Sequence, residues 1–189
     1  MDNVAELTQL AAQISQCSLC RLCEGRTNAV PGHGNPSADI VFIGEGPGKK
    51  EDEQGIPFCG ASGKLLDSML DSIGLDRKDV FITNIVKCRP PGNRDPLPDE
   101  KETCSTTYLD KQLAAIKPKL IITLGRHALN YFIPDLKISE VHGQPKRYRG
   151  QVYLALYHPA VALYNGGMRQ TLQDDFQLIP KILKKLNTI

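Results

Sequence analysis

The sequence predicts an α/β fold in which a parallel sheet is covered by helices on both faces. Three observations carry this. Four short apolar runs, 38–44, 79–86, 119–125 and 151–157, have strand length and strand composition. Segments with helical periodicity separate them, and strand–helix alternation is the mark of a parallel sheet. The carboxyl ends of the runs carry "GEGPG", "TNIVKCRPP", "TLGRHA" and "YHPA". Open α/β sheets bind ligands beyond those ends.

The elements follow in order. Residues 4–15 are amphipathic and read as a helix leading into the first cysteines. "ADIVFIG" (38–44) stops at a Gly/Pro cluster, as a buried strand does. "SGKLLDSMLDSIG" (62–74) places Leu65, Leu66, Met69, Leu70 and Ile73 on one helical face, with Gly74 as the stop. "DVFITNIV" (79–86) is the second strand. Residues 98–117 open with proline and acids, which suit a first helical turn. "KLIITLG" (119–125) is the third strand, followed by a short helix in "RHALNYFI". "QVYLALY" (151–157) is the fourth strand, and a last helix spans about 169–186.

Composition narrows the function. The chain has 189 residues, enough for one domain with its own core, expected to span 1–189. Its net charge of +2 confines any nucleic-acid surface to local patches. The N-terminus lacks a basic stretch followed by an apolar core, and no run approaches the roughly eighteen apolar residues of a span. The expected location is therefore cytoplasmic, with no membrane partner. There, six cysteines point to metal, redox chemistry or burial rather than disulfides.

Cys17 and Cys20 form a CxxC pair. Cys88 and Cys104 flank a fifteen-residue segment that, with its neighbours, carries four prolines. Four thiolates hold either zinc or an iron–sulfur cluster. The long spacer suits the bulkier cluster better than zinc's paired short knuckles; burial as small hydrophobes is the third alternative. Cys23 extends the CxxC pattern and is an alternative ligand, whereas Cys59 reads as a packed side chain. Prolines lower the entropy of the free loop, and Lys87, Arg89 and Arg94 are expected to project from it toward a phosphate backbone. A solvated surface loop is the bland alternative.

Read together, CxxC, "GEGPG", "PFCGASGKLL", "NIVKCRPPGNR", a further cysteine and "YHPA" resemble the family 4 uracil-DNA glycosylases. The match runs from Cys17 to the "HPA" region. The resemblance implies a three-layer α/β/α sandwich with a four-stranded parallel central sheet. It implies a [4Fe–4S] cluster on Cys17, Cys20, Cys88 and Cys104. It also implies hydrolytic removal of uracil from single- or double-stranded DNA, without lyase chemistry, as the start of base-excision repair. The partner would be uracil-containing DNA, met at the nucleoid by a monomer. A sliding clamp is compatible as a protein partner, although no motif names one.

Each chemical task has a candidate. Phe58, beside Cys59, Gly60 and Ala61, is placed to stack on a flat base; an ordinary core ring is the rival reading. Asn84 interrupts an apolar strand, and its amide matches the N3–H and O4 of uracil while clashing with cytosine. His158 in "YHPA" would offer a neutral N–H to the charge developing on uracil O2; a histidine satisfied within a turn is the rival reading, which the resemblance outweighs. In "GEGPG", Gly44 and Gly46 permit a tight turn with accessible backbone N–H groups. Better-known uracil glycosylases carry a carboxylate at the third position of this motif, where this chain has Gly46. Glu45 and Glu51 are the nearest carboxylates, for water orientation or for shaping the pocket near C5. Residues 161–170 read as a loop that wedges into the duplex, with Arg89, Arg94 and Arg169 on phosphates. Lys146, Arg147 and Arg149 read as a basic surface turn. His33, His127 and His142 match no motif and read as structural or surface residues.

Two other functions are open on sequence. A uracil-DNA trapping protein would carry a histidine in an insertion between Cys88 and Cys104, and none is present. An iron–sulfur redox protein would not need Phe58, Asn84 and His158 at one sheet edge.

Overall fold

A computed structural model describes residues 3–188. Met1, Asp2 and Ile189 of the expected domain lie outside the described residues. In chain order the main elements are α1 (Asn3–Ser15), β1 (His33–Gly34), β2 (Ile40–Gly44), α2 (Lys49–Gln54), α3 (Ala61–Asp71), β3 (Phe81–Asn84), α4 (Pro98–Cys104) and α5 (Asp110–Ile116). They continue with β4 (Leu120–Leu124), α6 (Arg126–Phe132), α7 (Ile138–Val141), β5 (Pro145–Tyr148), β6 (Gln151–Leu156), α8 (Pro159–Tyr164), α9 (Gly166–Phe176) and α10 (Ile179–Leu186).

The sheet has six strands in the order β1-β3-β2-β4-β6-β5, not the four expected. β3, β2, β4 and β6 pair in parallel, and β1 and β5 add antiparallel edges. The basic turn expected at 146–149 is part of β5 and its hairpin to β6. All residues of β2 and β4 are buried, as strands covered on both faces must be.

Alternate residues serve opposite layers. Phe42, Ile82, Ile122 and Leu154 pack with Leu66 and Leu70 of α3, Phe176 of α9 and Ile182 of α10. Val41, Ile43 and Ile121 pack with Leu7, Leu10 and Ile14 of α1, Ile116 of α5 and Ala128 of α6. The chain leaves β2 for α3 on one face and β4 for α6 on the other, so these neighbours part at a switch point. A crevice opens there.

Two helices differ from expectation. The helix expected over 98–117 is interrupted by a π-helical turn at Ser105–Leu109. The last helix divides into α9 and α10, with Pro180 in the first turn of α10. The wedge loop expected at 161–170 is also helical: α8 ends at Tyr164, and the side chain of Asn165 caps α9 by accepting from the N–H groups of Gly167 and Met168. Tyr164 still projects into solvent, 92% exposed. Among the described residues, no helix is long and apolar enough to cross a membrane.

Candidate active site

A pocket of about 420 Å³ opens at the carboxyl edge of the parallel strands, and Glu45, Glu51, Phe58, Asn84, Arg94 and His158 all line it. Strand register explains the convergence. Gly44, the last residue of β2, pairs with Asn84, the last of β3. A Cβ on Gly44 would overlap Asn84 Oδ1 and would come within 2.9 Å of the Phe58 ring. The missing side chain lets ring and carboxamide meet. Gly46 is equally constrained, because a Cβ there would lie 2.7 Å from Val86 Cγ2. Any side chain at that position would have to displace Val86.

Phe58 is 5% exposed and holds a positive φ of 51°. Such a conformation persists only where its surroundings impose it. Arg77 supplies the clamp: its guanidinium donates to the carbonyls of Pro57 (3.0 Å) and Phe58 and pairs with Asp67. Gly63 lies against the Phe58 carbonyl so closely that a Cβ would overlap it. Arg77 and Gly63 were not anticipated, because their role appears only once the 55–60 loop folds back on α3.

Asn84 is 2% exposed. Its side-chain amide has no hydrogen-bond partner among the described residues, although it lines the pocket. A buried amide in this condition keeps its donors and its acceptor for whatever enters the pocket. His158 is the N-cap of α8: its Nδ1 accepts from the N–H of Ala160 at 3.1 Å. That bond leaves the proton on Nε2. Burial lowers the His158 pKa to about 4, so the ring is neutral near physiological pH. The Phe58 and His158 rings stand 5.5 Å apart at 30°.

The two carboxylates differ. Burial, reinforced by the Asp95 carboxylate, pushes Glu45 up to about 7. Its Oε1 is buried without a hydrogen-bond partner. Glu51 instead engages the loop, with Oε1 accepting a long 3.4 Å bond from Gly60 N–H. His127, expected to be structural or at the surface, is half-buried beside the pocket, with Nδ1 3.7 Å from Glu45 Oε1 and Nε2 3.2 Å from Asp95 Oδ2. Its place in "TLGRHA", at a strand end, was the signal that could have found it.

The basic loop also departs from expectation. Lys87 does not project: it is 1% exposed, and Nζ donates to Thr83 Oγ1 (2.6 Å) and to the Asn84 carbonyl (2.7 Å). Burial lowers its pKa to about 8. Arg94 forks onto the buried Glu100 carboxylate at 2.7 and 2.9 Å. Arg89 is half-buried and donates to Asn93 Oδ1 at 2.7 Å, and Arg169 is exposed.

Cys17, Cys20, Cys88 and Cys104 line a second, apolar recess, walled by Ile14, Leu22, Val86 and Tyr108. Cys23 borders it, and Cys59 lies elsewhere, beside Gly60. Arg26 donates to Cys88 Sγ at 3.1 Å, and the Lys87 N–H points to Cys104 Sγ at 3.3 Å. Such donors suit sulfurs carrying negative charge. Burial pushes the Cys104 thiol up to about 11, so a cationic centre is needed to hold it ionised. Among the described residues, the sulfurs form no group of three within 4.8 Å. One zinc with bonds of ~2.3 Å would draw its sulfurs to roughly 3.8 Å of one another. The donor set is wider than that.

Comparison with known proteins agrees with this geometry. Residues 31–186 match the family model described as the uracil DNA glycosylase superfamily. The chain belongs to this superfamily, in its type-4 branch. It is 46% identical over 188 residues to the type-4 uracil-DNA glycosylase of Sulfurisphaera tokodaii, covering 93% of this chain and 84% of that one. The type-4 enzyme of Archaeoglobus fulgidus is 45% identical over 192 residues, covering 95% and 94%. That of Thermotoga maritima is 39% identical over 186 residues, covering 95% and 96%.

Proposed function

We propose that this type-4 family member is a hydrolase acting on N-glycosyl bonds, which removes uracil from DNA and leaves an abasic site for base-excision repair. The observation that carries the reading is the meeting of Phe58, Asn84 and His158 in one pocket at the sheet's carboxyl edge. The chain acts as a single glycosylase domain.

A base inside a duplex is out of reach, so the nucleotide is extruded or taken from a single strand. Uracil then stacks on Phe58. The Asn84 amide pairs with N3–H and O4, and cytosine, with the opposite pattern there, leaves that buried amide unpaired. As the N1–C1′ bond breaks, charge gathers on uracil O2. The Nε2–H of neutral His158 meets it in a site already oriented by the α8 cap. Glu45, with its free oxygen, is the carboxylate placed to accept a proton from the attacking water. Glu51 shapes the pocket mouth near C5 through its bond to Gly60.

Cys17, Cys20, Cys88 and Cys104 would hold a [4Fe–4S] cluster, whose contribution is a structural crosslink between the chain after α1, the end of β3 and α4. The wide sulfur spacing and the Arg26 donor support this over zinc. Arg89 and Arg169 are the cations free to meet phosphates, whereas Arg94 is engaged by Glu100.

The test uses end-labelled single- and double-stranded oligonucleotides with one uracil, treated with alkali after incubation. Strand breaks at the uracil alone are expected. Intact strands, or an unreleased protein–DNA adduct, would overturn the reading.

A further inference from the structure

A chain of titratable side chains leads away from the pocket toward solvent. Glu45 borders the pocket with one buried, unpartnered oxygen. His127, in the first turn of α6, brings Nδ1 to 3.7 Å from that oxygen. Its Nε2 lies 3.2 Å from Asp95, whose side chain is 63% exposed. The three groups fall within 4.8 Å of one another. Other charges face them: Lys101 from α4, and Arg126, whose Nε reaches His127 Nε2 at 3.1 Å.

We propose that His127, held at Nε2 by Arg126 and flanked by Asp95, is the positioning residue for Glu45: its Nδ1–H holds the carboxylate at the pocket wall and so sets the pH above which Glu45 can take a proton from water. This rests on Glu45 being the base. Arg126 Nε donates to Nε2 at 3.1 Å, which leaves the ring proton on Nδ1 and turns that N–H toward Glu45. The step balances. Water oxygen bonds to C1′ as the N1–C1′ bond breaks, and its electron pair leaves on uracil. The water proton passes to Glu45, whose ionised form the Nδ1–H favours beforehand, and leaves from that carboxyl to solvent.

An N–H donor beside a carboxylate favours its ionised form, so losing the Nδ1–H raises the pH at which Glu45 ionises. The base must be ionised, so the rate rises with pH through the Glu45 transition. Burial and then Asp95 lift that transition to about 7.

The test is single-turnover excision from a uracil oligonucleotide at saturating enzyme, across pH, for the intact protein and three variants. Asp95→Asn removes the carboxylate that repels Glu45, so the rising limb moves to lower pH. His127→Asn removes that N–H donor, so the limb moves to higher pH and the plateau falls about tenfold. A merely structural role would lower the rate equally at every pH. An unmoved limb in both variants overturns the proposal. Asp95 is exposed, so its variant keeps the test decisive if His127→Asn fails to fold. Glu45→Gln separates the two levels. Full excision by it removes Glu45 from the mechanism, and the proposal with it. Loss of the limb there, with no movement in the other two, overturns the pairing alone and leaves uracil excision standing.

Discussion

The sheet-edge pocket and the cysteine recess meet at the end of β3 but are organised by opposite means. The pocket is finished by the polypeptide itself. Gly44 clears a space, Gly63 and Arg77 hold Phe58 at a positive φ, and the α8 cap fixes the His158 tautomer. Its groups are in place before any substrate arrives, which is what electrostatic catalysis requires. The recess gathers sulfurs from three separate segments, braced by Arg26 through Ser15 O and Cys88 Sγ. Its apolar wall disfavours thiolates until a cation binds. One site is preorganised, and the other, on the proposed reading, is completed by the cluster it would bind. Lys87 ties them, with its N–H on Cys104 Sγ and its Nζ on the Asn84 carbonyl.

That contrast is best broken by disabling each site in turn. Cys88→Ala should give the largest effect, because it removes a ligand from the proposed cluster crosslink. A crosslink closing long loops contributes on the order of 2–5 kcal/mol. Iron content and thermal unfolding measure this; full iron with unchanged Tm would remove Cys88 from the ligand set. His158→Ala should leave Tm nearly unchanged while raising the excision barrier by about 2–4 kcal/mol. Single-turnover rates check it, and a rate equal to the intact protein's would exclude the imidazole. Gly63→Ala should fall between the two kinds of damage. Its Cβ must displace the Phe58 carbonyl, an overpacking cost of roughly 1–3 kcal/mol. Weaker uracil affinity is expected with normal iron content, read from product inhibition by free uracil.

The inner strands were legible because strands buried on both faces must be apolar and β-branched, and 38–44, 79–86, 119–125 and 151–157 are. The edge strands were not. β1 has two residues, and β5, "PKRY", carries the charge that protects an edge, so it reads as a turn. Asn84 stood out as a polar residue inside an apolar strand. Phe58 was legible as an aromatic ring, but its conformation depends on Arg77 and Gly63, which no local pattern connects to it. His127 was passed over because a histidine acquires meaning from its partners. Here those come from the ends of other strands and from the proline-rich loop. Lys87 looked like a free cation because a charge beside prolines usually is one. Its burial follows from Thr83 and a strand-end carbonyl lying within its reach.

The smallest expected effect separates two arginines on that loop. A phosphate contact releases counterions only if the cation is not already neutralised by the protein. Arg89 is held by a neutral amide, whereas Arg94 is forked onto a fully buried Glu100. Arg89→Ala should therefore lower the slope of log affinity against log salt by about 0.9 on duplex DNA. Arg94→Ala should leave that slope nearly unchanged but lower Tm, because Glu100 would keep its burial and lose its partner. Fluorescence anisotropy with abasic-site DNA at several salt concentrations measures the slopes, and thermal melts measure the rest. Equal slope changes in both variants would mean that DNA draws Arg94 off Glu100. The loop would then reorganise on binding, and rigidity in advance would be confined to the floor of the pocket, where Gly44, Phe58 and Asn84 meet.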